Sequence, residues 1–305
     1  MSSFDNNPYS YQQSWAERNG FVHWAIVMIW LVPAFLLFQV VAGFVFVGLM
    51  FISGEFTDTT NIAELMTSRI DLLFIGNSAG QILIIGLATF IVTRLHTSGE
   101  GVRDYLRLGW EKDTLKYILF GGLLILVAQP IVIYLGYLNS LLPVPEFFTD
   151  LQVGQYEMIQ QFLTMEGILL FGLINVALVP AICEEVLFRG YVLRSFEKSW
   201  GIIAAIIVSS IVFGMFHIQL GNIIPLATLG AVLALMTWLS GSIWPAVVAH
   251  FLNNGAAVVA GINFPELMFQ DMTAEALPPV WVLLVSIVLS VILIVTMFRQ
   301  STYTE

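Results

Sequence analysis

The chain has 305 residues, of which 58% are hydrophobic and only 10% are charged, and its mean hydropathy is +0.87. A soluble domain is about one-quarter charged, so this composition excludes an ordinary water-soluble fold and indicates an integral membrane protein. The net charge of −10 argues against nucleic-acid binding, which needs clustered lysine and arginine. The single cysteine, Cys183, excludes an intramolecular disulfide framework.

Charge-free apolar blocks predict the membrane-spanning helices, because about 20 apolar residues cross a hydrocarbon core of roughly 30 Å. The blocks are 21–52, 72–93, 117–142, 167–193, 200–219, 222–240, 243–261 and 279–298. The predicted fold is therefore an all-α polytopic membrane protein with about eight transmembrane helices. We expect residues 21–298 to form a single transmembrane domain, with a polar N-terminal tail at 1–20 and a C-terminal tail at 299–305.

The loops between these blocks alternate in charge, which predicts their orientation. Residues 94–116 carry five basic side chains, whereas acidic side chains dominate 53–68 and 262–277. Lysine and arginine accumulate on the cytoplasmic side of membrane proteins, so both termini should be cytoplasmic. In a bacterium, the expected location is the cell membrane.

Five ionisable side chains lie within or at the end of the predicted spans. They are Glu184, Glu185, Arg189, His217 and His250. A charge at the centre of a membrane helix costs about 2.5–3.5 kcal/mol on insertion scales, and such residues usually face the bundle interior for a functional reason. We therefore expect a catalytic core at about residues 165–262.

The spacing of these residues suggests different roles for the two adjacent glutamates. Glu185 and Arg189 are four residues apart, so they share a helix face and can form an ion pair. Glu184 lies about 100° around the helix from Glu185, so it can point into a cavity as a base. His250 and Asn254 are also four residues apart and project in the same direction.

Two residues close to Glu184 in the sequence, Pro180 and Cys183, bear on its local structure and on the chemistry of the site. Pro180 lacks a backbone N–H, which removes one helical hydrogen bond and favours a kink four residues before Glu184. Cys183 could serve as a thiol nucleophile, but it points to a different helix face from Glu184. A buried cysteine usually behaves as a small hydrophobic residue.

This set of side chains suits peptide hydrolysis by an activated water. A carboxylate can accept the proton of the water while an imidazole orients it, and a second imidazole and an amide can stabilise the oxyanion. Alternatively, Glu184, His217 and His250 could bind zinc, although the sequence lacks the H-E-x-x-H motif. Zinc-dependent and metal-free reactions both remain open.

These residues resemble, in order and in separation, three motifs of the CAAX prenyl protease type II and bacteriocin-processing (CPBP, or Abi) family. The motifs are E-E-x-x-x-R at Glu184, Glu185 and Arg189, F-x-x-x-H at Phe213 and His217, and H-x-x-x-N at His250 and Asn254. Each motif alone is weak, but all three in order within hydrophobic spans are specific. The resemblance covers about residues 165–262.

The resemblance implies a helical membrane protease with a cavity that reaches the glutamates from the cytoplasmic side. It implies that Glu184 and His217 activate water and that His250 and Asn254 form the oxyanion hole. The implied partners are membrane lipid and a peptide or protein substrate that enters the cavity. Relatives process prenylated CAAX proteins or act in bacteriocin maturation and immunity, and the sequence does not select among these substrates.

Two other functions fit parts of the sequence. Intramembrane Glu, Arg and His residues also mark the ion pathways of transporters, but carriers often have repeated halves, and no such repeat is found here. A non-catalytic immunity or scaffold protein could use the same fold. A cellular phenotype that survives loss of Glu184 would indicate the scaffold.

The predicted boundaries place the two histidines at different depths. His217 is about 25 Å along its helix from Trp200, whereas His250 is about 12 Å along its helix from Ser242. For these histidines to meet, the helix before His217 must begin beyond the membrane, tilt strongly, or have different boundaries.

Overall fold

The computed structural model describes residues 15–54, 67–97, 101–269 and 272–301. These residues are largely helical and contain no β-strand, which confirms the predicted all-α class. Most of the predicted N-terminal tail, the acidic loop 53–68 and the end of the C-terminal tail lie outside the described residues. The orientation of the termini stays a prediction.

Ten helices of twelve residues or more form the frame of the described part of the chain. They are α1 (His23–Ile52), α2 (Ile70–His96), α3 (Thr114–Val127), α4 (Gln129–Ser140), α5 (Glu146–Leu163), α6 (Leu169–Trp200), α7 (Ile202–Phe216), α8 (Ile223–Ser240), α9 (Trp244–Asn263) and α10 (Val280–Arg299). Every predicted block overlaps at least one of these helices.

The prediction of eight membrane spans is not confirmed. Within the described ranges, six helices are long and apolar enough to cross a membrane, and α3 and α4 together would make a seventh span. These two helices meet at an angle of 50°, where Pro130 cannot donate a backbone hydrogen bond. The 15 residues of α7 rise only about 22 Å, which is less than the thickness of a hydrocarbon core.

The depth mismatch between the histidines is explained by the hairpin of α6 and α7. The two helices turn at Gly201, which has a φ of 78°, a backbone conformation that glycine adopts readily. The 32 residues of α6 rise about 48 Å, which is more than the roughly 30 Å of a hydrocarbon core. Glu184 and His217 lie about equally far from the turn, and the short α7 therefore returns His217 to the level of Glu184.

The segment that carries the glutamates is enclosed by the rest of the bundle. Residues 185–193 of α6 are all buried. Within this stretch, Val186–Val192 is π-helical. Two further π-helical segments are Leu173–Leu178 earlier in α6 and Gln81–Ala88 in α2. Such segments are rare and are frequent at functional sites, because they change the direction in which side chains project.

Candidate active site

Glu185 is the centre of a buried network that joins three helices. Its Oε1 atom accepts hydrogen bonds from Arg189 Nη1 at 3.0 Å and from His250 Nδ1 at 2.8 Å. Arg189 also donates to the carbonyl oxygen of Gly230 at 3.1 Å, and its guanidinium lies 4.3 Å from the ring centre of Phe213. The side chains of Glu185, Arg189 and His250 are at most 3% exposed. This glutamate is therefore held in place by partners on α6 and α9.

Glu184 lies beside His217 in a more open position. The distance between Glu184 Oε2 and His217 Nε2 is 3.7 Å, and the two side chains are 12% and 26% exposed. The Oε2 atom has no hydrogen-bond partner among the described residues. At 3.7 Å the two groups are too far apart for a direct hydrogen bond, but a water molecule can bridge such a gap.

The backbone fixes the proton of His217 on the nitrogen away from Glu184. Nδ1 of His217 is 2.9 Å from the carbonyl oxygen of Phe213, and a carbonyl oxygen only accepts hydrogen bonds. Nδ1 therefore donates, and in the neutral imidazole Nε2 presents its lone pair toward Glu184. Two acceptors thus converge on the space between these residues, which suits a water that donates to both.

Asn254 adds two donor contacts on the other side of the network. Its Nδ2 atom lies 3.2 Å from His250 Nε2 and 3.2 Å from the carbonyl oxygen of Val176. Pro180, four residues after Val176, has no N–H with which to bind that carbonyl in a helical pattern. The proline predicted to perturb α6 therefore leaves a backbone acceptor that the amide of Asn254 uses.

The turn after His217 is held by residues from α4 and α5. Asn139 is fully buried; it donates to the carbonyl oxygen of Leu220 at 3.0 Å and accepts from the backbone N–H of Ile224 at 2.8 Å. Gln152 on α5 accepts from the backbone N–H of Gly221 at 3.1 Å. Within this turn Ile218 has a φ of 56°, which is strained for a β-branched residue.

A zinc site would require Glu184, His217 and His250 to direct free ligand atoms at one ion. Glu184 and His217 approach each other, but both nitrogens of the third candidate, His250, already take part in hydrogen bonds. The described residues contain no group of three or more His, Cys, Asp or Glu side chains arranged to bind a metal ion. The three predicted metal candidates therefore do not form a three-ligand site in this arrangement.

All of the residues singled out in the sequence motifs lie in one region. Sequence spacing did not identify the contacts from Gly230, Val176 and the Phe213 carbonyl, because each depends on how separate helices pack or on backbone geometry. Gln129 and Asn253 were also missed, although a polar amide inside an apolar block is a signal that could have identified them. Gln129 Nε2 donates to Asn253 Oδ1 at 3.2 Å.

A comparison with protein-family models supports the resemblance carried by these residues. The model described as type II CAAX prenyl endopeptidase Rce1-like matches residues 166–256, a range that includes all three motifs. Searches of curated proteins and of solved structures find no match.

Proposed function

We propose that the chain is an intramembrane endopeptidase of the CPBP family, in which Glu184 and His217 activate the attacking water. The type II CAAX prenyl endopeptidase model that matches residues 166–256 supports this proposal. The observation that carries the proposal is the convergence of Glu184 Oε2 and His217 Nε2, which lie 3.7 Å apart, with the Oε2 atom buried and without a hydrogen-bond partner among the described residues. Glu184 accepts a proton from the water as it attacks the peptide carbonyl, and His217 orients the water through its lone pair. Glu184 can then pass this proton to the leaving amine.

The neighbouring network supplies the second part of the proposed site. In this proposal Asn254 donates to the oxyanion, and His250 orients that amide by accepting from it through Nε2. Arg189 and Glu185 keep His250 in position. Both hydrogens of Asn254 Nδ2 are directed to acceptors, His250 Nε2 and the Val176 carbonyl oxygen. Binding of the oxyanion therefore requires Asn254 to exchange one of these contacts for the substrate oxygen.

The direct test is to identify a substrate that depends on Glu184. We would compare membrane peptides from cells that produce wild-type protein, Glu184→Gln or the control Glu166→Gln. Glutamine preserves the size of the side chain and removes the base, whereas Glu166 is exposed and lies outside the site. We expect cleavage products shared by wild type and Glu166→Gln that are missing from Glu184→Gln. Identical products in all three would contradict the proposal.

The transporter and scaffold alternatives predict different behaviour of the same variants. A scaffold would keep its cellular phenotype in Glu184→Gln, because its role needs only the fold. A proton-coupled carrier would show substrate uptake in vesicles that depends on Glu184 without releasing any cleaved peptide. The 3.7 Å separation of Glu184 Oε2 and His217 Nε2 favours hydrolysis, since Nδ1 of His217 faces the Phe213 carbonyl and the two remaining acceptors flank one water-sized gap.

A further inference from the structure

A chain of side-chain amides leads from the break between α3 and α4 to His250. Gln129, the first residue of α4, donates through Nε2 to Asn253 Oδ1 at 3.2 Å. Asn253 Nδ2 donates to Asn254 Oδ1 at 3.2 Å, and Asn254 Nδ2 contacts His250 Nε2 at 3.2 Å. This series of hydrogen bonds ends at Glu185, whose Oε1 atom accepts from His250 Nδ1 at 2.8 Å.

The direction of every hydrogen bond in this chain is determined by its two ends. The amide nitrogen of Gln129 also donates to the carbonyl oxygen of Ile125, so the NH₂ end of Gln129 faces this region and Asn253 must accept through Oδ1. The NH₂ group of Asn253 is then the end that remains for Asn254, whose own NH₂ group is directed toward His250.

The contacts at the other end of this hydrogen-bond series, around Asn254 and His250, require the same donor-to-acceptor direction. The Val176 carbonyl oxygen can only accept a hydrogen bond, so the NH₂ group of Asn254 must be the end that faces it. The carboxylate of Glu185 also accepts, so Nδ1 of neutral His250 carries the hydrogen and Nε2 carries the lone pair. Donors and acceptors therefore alternate without conflict from Gln129 to Glu185.

From this alternation we infer that Gln129 and Asn253 are positioning residues, which act together with the Val176 carbonyl to hold the NH₂ group of Asn254 toward the lone pair of His250 Nε2. This inference rests on the proposed function only for its effect on catalysis. If the amide of Asn254 were reversed, its oxygen would face both the Val176 carbonyl and the lone pair of His250. The group proposed to stabilise the oxyanion would then present an acceptor to a negative charge.

The first test measures the tautomer and requires no substrate. The chain has four histidines, so ¹⁵N-histidine labelling of the full protein in micelles gives a small set of imidazole signals, and His250→Gln identifies those of His250. A nitrogen with a lone pair and a protonated nitrogen differ in ¹⁵N shift. Asn253→Asp replaces the donor by an acceptor, and Asn253→Leu removes it.

We expect His250 Nε2 to change toward the protonated form in Asn253→Asp and to show mixed forms in Asn253→Leu. Asn263→Asp is the matched control, because Asn263 lies on the same helix but is exposed, and its side chain donates to the backbone carbonyl of Val259 one turn earlier. It should leave the His250 signals unchanged. Unchanged His250 signals in both Asn253 variants would overturn the inference.

The second test is kinetic and uses a peptide identified by the Glu184 comparison. Asn253→Asp should lower kcat about tenfold or more with KM within about twofold, because it misdirects a donor rather than a substrate contact. In an Asn254→Ala background the same change should add little, since Asn253 acts through Asn254. A full additional loss in that background would overturn the inference, whereas an inactive wild-type protein would overturn the proposed function alone.

Discussion

Two glutamate–histidine pairs lie side by side in this protein, and their surroundings differ. Glu185 and His250 are 2.8 Å apart, at most 3% exposed, and joined by Arg189. Glu184 and His217 are 3.7 Å apart, and both are partly exposed. The same two residue types thus form an enclosed ion-pair network in one case and an open pair of proton acceptors in the other.

The difference originates in the residues one helical turn away. Glu185 is followed four positions later by Arg189, which donates to it, whereas Glu184 is followed by Phe188. Phe188 cannot donate a hydrogen bond, and it packs against the Phe213 and Phe216 rings instead. A glutamate without a cation on its own helix face keeps its carboxylate available for another partner, which is what a general base requires.

The largest expected effect comes from removing the enclosed glutamate. Glu185→Ala leaves Arg189 and His250 without their shared acceptor in a buried position, and an unpaired buried charge costs about 3–5 kcal/mol. We expect a large fall in the thermal unfolding temperature of the detergent-solubilised protein. Glu184→Gln, measured in parallel, should unfold near the wild-type temperature. Equal stability losses in both variants would contradict the division between the two pairs.

The helical class, which the structure confirms, and the candidate site residues were both predicted from the sequence for a physical reason. Charged and polar side chains are costly in a membrane, so Glu184, Glu185, His217 and His250 stand out from their apolar surroundings without any knowledge of packing. The spacing of four between Glu185 and Arg189 also identifies a local contact, because the geometry of a helix determines it.

The span count and the longer contacts could not be predicted in the same way. Hydropathy predicted 200–219 to be a span, but the helix there has only 15 residues and begins in a tight turn after α6. Whether Asn254 contacts the Val176 carbonyl depends on the distance between α6 and α9, which no local pattern encodes. The block 117–142 contains Pro130, and a proline inside an apolar block is a local signal for the break between α3 and α4.

The next effect distinguishes the two chemical mechanisms at Asn254. Asn254→Asp replaces a donor by a carboxylate that, when ionised, only accepts and that carries the same charge as the oxyanion. We expect turnover to fall about 100-fold, the cost of losing one oxyanion donor. Cleavage by the purified variant would be measured with and without zinc.

The control for this variant is chelation of the wild-type protein. A chelator-resistant wild type and an Asn254→Asp variant that zinc does not rescue would support metal-free catalysis. A carboxylate is a good ligand for a hard cation, so a metal site would tolerate or favour this change. An Asn254→Asp enzyme that is active and needs zinc would contradict the oxyanion assignment.

A smaller effect is expected at the turn that follows His217 and supports its position beside Glu184. Asn139→Leu removes the partners of the Leu220 carbonyl and the Ile224 N–H, and each buried polar group left without a partner costs about 1–3 kcal/mol. Thermal unfolding should therefore occur at a lower temperature, and KM should change less than kcat because His217 loses its support. Asn263→Leu, at an exposed position, should change neither quantity.

The smallest effect concerns the strain stored beside His217. Ile218 has a φ of 56°, a left-handed conformation that costs an L-residue about 1–2 kcal/mol, and glycine adopts it without that cost. Glycine also loses more conformational entropy on folding and gives up the packing of the isoleucine, so Ile218→Gly should be about as stable as wild type. Ile211→Gly, at an exposed position inside α7, should instead lose about 1 kcal/mol.

The effect of Ile218→Gly on turnover tests whether the strained backbone at Ile218 helps to hold His217 beside Glu184. A glycine allows this turn more backbone conformations, so His217 should be held less firmly against Glu184, and kcat should fall severalfold without a loss of stability. His250 depends on side-chain partners on α6 and α9, so its contact with Glu185 should be unaffected by the same change. If Ile218→Gly retained full kcat, the turn would support the fold of this region but not the position of the proposed catalytic histidine.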